Sequence, residues 1–111
     1  MSLLNVPKQA VFFTKDVAVG TLLTTYKATP DITIAAGTVI RAVYTQNDTA
    51  RDIWLSFDGI NNHFYLNQLV AGDPGIGFDF SHLGLYVVGH IFLKVTPTVS
   101  TTGFVFITVM T

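Results

Sequence analysis

Between Asp52 and Asn67 the chain alternates apolar and polar residues one for one, breaks at Asp58-Gly59, and then alternates again. Ile53, Leu55 and Phe57 interleave with Asp52, Trp54 and Ser56; on the return, Phe64 and Leu66 interleave with His63, Tyr65 and Asn67. Successive side chains of a strand point to opposite faces, so this pattern predicts two half-buried strands joined as an antiparallel hairpin. The same period restricts the register, because a slip of one residue turns every apolar side chain toward solvent. A four-residue loop, Asp58–Asn61, sets Leu55 against Phe64 and Trp54 against Tyr65. A six-residue loop, Asp58–His63, sets Phe57 against Phe64 and Ser56 against Tyr65. Both put Ile53, Leu55, Phe57, Phe64 and Leu66 on the core side and Trp54, Tyr65 and His63 on the other.

The remainder of the chain reads the same way. Glu is absent, and no window carries an apolar stripe at helical spacing over three turns. Fifteen Thr, together with Val, Ile, Phe and Tyr, give the bias of a pleated, half-buried surface. Strands are expected at 9–14, 20–28, 38–46, 52–57, 63–67, 76–80, 90–96 and 103–110, with Ile32–Ile34 pairing locally. Turns fall at Pro30-Asp31, Ala36-Gly37, Asn47-Asp48, Asp58-Gly59, Asp73-Pro74-Gly75 and Gly84. About eight short strands in this length predict an all-β fold: a two-sheet antiparallel sandwich of Greek-key or jelly-roll type. Residues 1–8 read as an N-terminal arm and 9–111 as one sandwich domain, a size that suits a single core.

Charge narrows the function. Only 12% of residues are charged, half the usual ~25%, while 50% are hydrophobic and the net charge is −1. Soluble surfaces normally rely on interspersed charge, so some of this apolar surface is expected to lie against other subunits. Lys8, Lys15, Lys27, Arg41, Arg51 and Lys94 are scattered, which speaks against nucleic-acid binding. No run approaches the ~20 apolar residues of a membrane helix, so no membrane partner is expected. Without Cys, disulfides and thiolate metal sites are excluded.

No catalytic, cofactor or metal site is expected. Ser, His and Asp co-occur without a Gly-x-Ser-x-Gly elbow, so Ser56, His63, His82 and His90 read as polar turn and strand residues. The three histidines lack ligand spacing, and Asp48, Asp52, Asp73 and Asp79 are too sparse for a calcium loop; they read as turn caps. The functional signal is aromatic. Trp54 and Tyr65 share an outward face with His63, and Phe92 an outward face with His90, Lys94 and Thr96. Strand 103–110 is apolar on both sides: Phe104, Phe106 and Met110 back onto Val105, Ile107 and Val109. Trp54, Tyr65, Phe92, Phe104 and Phe106 are therefore the candidate subunit interface, since buried aromatics dominate interface energies. The rival readings are a sugar-stacking platform and a face covered by the chain's own second sheet.

Four segments carry a resemblance: Ala35-Ala36-Gly37, Asn47-Asp48-Thr49-Ala50-Arg51, Ser56-Phe57-Asp58-Gly59 and Gly89-His90-Ile91-Phe92-Leu93-Lys94. Over about residues 21–110 the chain resembles small β-sandwich virion proteins of tailed bacteriophages, which share a glycine loop, an Asn-led turn, an Asp-Gly hairpin and a late Gly-led strand. His90 departs from the small or acidic residue usual there. The resemblance implies a non-enzymatic virion protein, a capsid decoration (cement) or head-tail accessory subunit. Its partners would be itself, as a dimer or trimer, and other virion proteins such as the major capsid protein. A receptor- or carbohydrate-binding module of a phage tail is the alternative.

Overall fold

The computed structural model describes residues 12–67, 75–80 and 87–111. It holds seven strands: β1 (Phe12–Ala18), β2 (Ala42–Thr49), β3 (Asp52–Ser56), β4 (Phe64–Leu66), β5 (Ile76–Asp79), β6 (Phe92–Thr96) and β7 (Gly103–Met110). They form two antiparallel sheets, one of four strands in the order β1-β7-β2-β5 and one of three in the order β4-β3-β6. The all-β sandwich expected from alternation is the fold. The 1–8 arm, His82, Gly84 and the Asp73-Pro74 turn lie outside the described residues.

An eighth position is filled by a fragment. Along the edge of β6 away from β3, three backbone N–H groups are taken in turn. Ile91 donates to the carbonyl of Ile32 (3.0 Å), Leu93 to the carboxylate of Asp31 (2.8 Å), and Val95 to the carbonyl of Leu23 (2.9 Å). Residues 23–32 thus run antiparallel to β6 and touch it at their two ends, with Ile32 and Ile91 forming an isolated bridge. Counted as a strand, this segment gives chain orders 1-8-3-6 and 2-7-4-5 for the two sheets. Successive strands then alternate between sheets, except that β3 and β4 share one as a hairpin, in the winding of a jelly roll.

The same geometry corrects the expected strand at 20–28. Val19–Thr21 is a 3-10 turn, and 24–30 leaves the sheet edge. Pro30 has no N–H to give a ladder. Asp31 restores the edge with its side chain, while Lys27 Nζ pairs with the other carboxylate oxygen at 2.8 Å. Residues 9–11 of the expected first strand lie outside the described residues; from Phe12 the strand runs past its expected end at 14 to Ala18, because it pairs with β7 from Phe12 opposite Met110 to Ala18 opposite Phe104. Its polar Thr14, Lys15 and Asp16 are exposed and cost nothing at an edge. The strand expected at 38–46 is Ala42–Thr49, with Ile40 left as a lone bridge to Val87.

The core lies between the sheets. Ile53, Leu55, Ile91, Leu93 and Val95 from one side meet Val43, Val105, Ile107 and Val109 from the other, all at 0% exposure. Burying each such side chain contributes about 1.5–3 kcal/mol. The hairpin adopts the register of the four-residue loop: Ile53 opposite Leu66, Trp54 opposite Tyr65, Leu55 opposite Phe64. Ile53, Leu55, Phe57 and Leu66 are buried and Phe64 packs against them, half-buried.

The β2–β3 corner joins the two sheets through polar groups turned inward. Asn47 Nδ2 donates to the carbonyls of Arg51 (2.8 Å) and Leu66 (3.0 Å), and Thr49 Oγ1 donates to Asn47 Oδ1 (2.7 Å). A buried amide is tolerated only when paired in this way.

Two outcomes follow from this packing. Leu55→Ala should lower stability by about 2–5 kcal/mol, and Trp54→Ala by about 1 kcal/mol, the scale of the edge contact it loses. Urea midpoints read at unchanged slope measure both, and equal losses would place Trp54 in the core. Asp31→Ala should cost about 1–3 kcal/mol by leaving the Leu93 N–H unmatched. Asp31→Asn, which keeps an acceptor oxygen, should recover part of that loss in the same titration.

Candidate interaction faces

Each sheet has an outward face, and the two differ in how far the chain covers them. On the three-strand sheet, Trp54 meets Tyr65 edge to face, with ring centroids 4.7 Å apart and planes at 67°. Tyr65 donates its hydroxyl to Asp52 Oδ2 (2.6 Å), and this bond raises the pKa of the phenol above its usual value. On the other flank of Trp54 stands Lys94, whose Nζ sits 4.8 Å above the ring of Tyr26. Tyr26 lies in the 24–30 excursion, so that loop folds over this face. It donates its hydroxyl to Asn62 Oδ1 (2.7 Å), and partial burial followed by the charge of Asp58 pushes its pKa up to about 12.

Phe92 stands on this outward face opposite Ser56, but its own chain covers it to 8% exposure. The cover is the Asp58–Gly59 turn. Gly59 has φ 75°, and a Cβ there would come within 3.0 Å of the Phe92 ring. This corrects the expectation that Phe92 offers interface surface. Of the three aromatics expected on this face, Tyr65 is 39% exposed and Trp54 half-buried.

The turn itself is a hydrogen-bonded unit. Ser56 Oγ donates to Asp58 Oδ1 (2.9 Å) and accepts from the N–H of Asp58 and Gly59. Asp58 Oδ1 accepts from the N–H groups of Ile60 and Asn61 (both 2.8 Å), and Oδ2 from Asn61 Nδ2 (2.8 Å). These bonds, the backbone ones foremost, hold the Asp58 carboxyl well below the usual carboxylate range. His63 and His90 are committed in the same way: their Nδ1 atoms accept the N–H of Phe57 (3.0 Å) and of Ile34 (2.9 Å). Ser56, His63 and His90 thus serve turns and strand ends. Among the described residues no group of three His, Cys, Asp or Glu could hold a metal ion.

The four-strand sheet keeps its outward face open. Val105, Ile107 and Val109 point inward from β7, leaving Phe104 48% exposed and Phe106 half-buried on the outside, with ring centroids 6.3 Å apart. On β2 the outward residues are Tyr44, Gln46 and Asp48. Tyr44, which sequence reasoning missed, is 48% exposed and stands opposite Gly77. A Cβ on Gly77 would lie 2.6 Å from the Tyr44 ring, so only glycine lets the ring lie across β5. Tyr44, Gln46, Gly75, Gly77, Phe106 and Thr108 line a shallow groove of about 300 Å³. Tyr44 was hidden because β2 inverts the usual contrast. Its buried side holds Thr45, Asn47 and Thr49 beside Val43, so hydrophobicity does not mark the inside.

A second cleft, of about 400 Å³, opens at the end of the sandwich between Phe57, Asp58, His63, Phe64, Phe80, Val87 and Val88. Its walls are edge-packed rings, Phe57 on Phe64 at 5.8 Å and Phe57 on Phe80 at 5.6 Å. Its polar groups, Asp58 and His63, are already engaged in the turn.

No protein family, curated protein or solved structure matches this chain.

The Asp58 turn sets an acid limit. A carboxyl held low in the folded state adds stability in full above its ordinary value of 3.8, and that stability is lost as pH falls below it. Thermal midpoints should therefore fall below about pH 4, and Asp58→Asn should flatten that acid limb while lowering the midpoint at pH 7. An unchanged acid limb would show that other carboxyls carry it.

Proposed function

We propose that this chain is a non-enzymatic structural subunit of a virion, a capsid decoration or head-tail accessory protein, which acts by packing into an assembly. The observation that carries the reading is the open apolar face of the four-strand sheet, where Tyr44 and Phe104 are each 48% exposed beside Phe106. Large rings on a sheet face with few charges are a liability in a free monomer and an anchor in a complex. The low charge of the chain supports the same reading. So does the jelly-roll winding, which viral capsid domains use, although that is support by analogy of fold. Of the four segments that resemble phage virion proteins, three supply turns and corners of the sandwich, the Asn47–Arg51 corner and the Ser56–Gly59 turn among them, and the fourth leads into β6.

Packing of this kind requires no substrate. The work is done by buried area and by closure of a lattice. The interface draws on Phe104 and Phe106 and adds Tyr44, with Trp54 and Tyr65 secondary on the half-closed opposite face.

A sugar-binding tail module is the second reading. It is favoured by the groove where the Tyr44 ring stands beside Gln46 and Thr108, an aromatic platform flanked by neutral hydrogen-bonding groups. Titration with neutral oligosaccharides, read by Tyr fluorescence and repeated on Tyr44→Ala, addresses it directly.

The assembly reading is tested by sedimentation velocity at micromolar concentration. The chain should self-associate, and Phe104→Ser should weaken association at least tenfold while leaving the unfolding midpoint within about 0.5 kcal/mol, as for other surface changes. A soluble monomer that never joins a larger particle would remove this function.

A further inference from the structure

A sheet edge offers unpaired backbone groups to any second strand, and the edges of this sandwich differ in how they are closed. β4 and β5 end their sheets with three and four residues. The outer edge of β6 is taken by residues 23–32, through Ile32, Asp31 and Leu23. β1 is the exception. It ends the four-strand sheet with seven residues, and no described strand pairs with its outer side.

That edge carries a charge on the wrong side for an ordinary surface residue. Among the charged residues of the described strands, Asp16, Asp48, Asp52, Asp79 and Lys94 stand at outward positions. Lys15 alone stands at an inward one, opposite the fully buried Ile107. Its stem crosses the flank between the two sheets, and Nζ donates to the Asp31 carbonyl at the edge of the other sheet (2.7 Å). Lys15 is exposed, so the ammonium stays in water while the stem lies on the inner side.

An added strand would lie about 4.8 Å outside β1, and its inward side chains would meet this stem and its charge. A second copy offering its own β1 meets a further obstacle. Across a two-fold axis, the register that pairs all seven residues sets Lys15 against Lys15 of the second copy. The next register on one side sets Asp16 against Asp16, and on the other Lys15 against Phe13. Like charges directly opposed on neighbouring strands destabilise the pairing, and an inward-pointing charge is a known protection of long edges. We propose that Lys15 keeps the β1 edge from pairing with a second copy. Contact between copies is thereby confined to the sheet faces, a consequence that rests on the assembly reading above.

Phe104→Ser serves as the parent for the test, because it weakens contact through the face. In that parent, Lys15→Val supplies a strand-forming residue without charge. It should lower the self-dissociation constant about tenfold or more in sedimentation velocity. Hydrogen exchange should slow, increasingly with concentration, at the alternate β1 amides that β7 leaves free. Lys15→Glu loses the bond to Asp31 but keeps an inward charge, so it should associate no more than the parent. Urea midpoints report the stability that each variant loses with that bond. Equal association of the Val and Glu variants would assign the effect to the lost bond and overturn the proposal. A Lys15→Val variant that associates no more than its parent would overturn it too. So would concentration-dependent slowing at those amides with Lys15 in place. These comparisons are made within one parent, so they decide the role of Lys15 whether or not the native chain associates. Phe104→Ser against the native chain decides the assembly reading separately.

Discussion

Leu93 donates its backbone N–H to the carboxylate of Asp31, and the opposite oxygen of that carboxylate receives Lys27. The side chain of Asp31 is almost wholly buried, so the charge is tolerable only because both oxygens are used. Without the carboxylate, β6 would keep a gap in its edge between the bonds to Leu23 and Ile32. The contact also frees residues 24–30 from the sheet, and through Tyr26 they fold against Lys94 and Asn62. One buried acid therefore completes the jelly-roll winding and half-closes one outward face.

The remaining inward polar groups are satisfied by the same logic. Asn47 and Thr49 bind the corner between the sheets, and Ser56 with Asp58 binds the hairpin turn. His63 and His90 each accept a backbone N–H. Ser56, Asp58 and the Nδ1 atoms of His63 and His90 are thus engaged with backbone at turns and strand ends. Among the described residues, the four-strand face keeps two rings, Tyr44 and Phe104, exposed beside Phe106. The asymmetry between the two faces turns a general apolar excess into a directed surface.

Much of the fold was legible as pattern. The Asp52–Asn67 hairpin could be read to its faces and to two registers, and strands at 76–80, 90–96 and 103–110 fell where expected. The candidate site was legible in part. Phe104, Phe106, Trp54 and Tyr65 take the outward positions that alternation assigns them, and Phe92 does as well, yet a turn distant in sequence covers it. Tyr44 was missed because β2 buries Thr45, Asn47 and Thr49; Asn47 bonds Leu66 of the other sheet, and Thr49 bonds Asn47 and Arg51 at the corner.

Alternation, turn residues and the lack of helix signals by themselves determined that this chain forms strands with one apolar side, and therefore two sheets packed face to face. The period of 2 is a local property of the backbone, so it can be read without knowing any partner. Tertiary structure alone decided that residues 23–32 complete the second sheet through a carboxylate, that the Gly59 turn roofs Phe92, and that the four-strand sheet keeps the exposed rings. These outcomes depend on which distant groups meet: Asp31 reaches β6, Asn47 reaches β4, and the 24–30 excursion settles on one face rather than the other. Such pairings are fixed by the packing of the whole domain, and no local period encodes them.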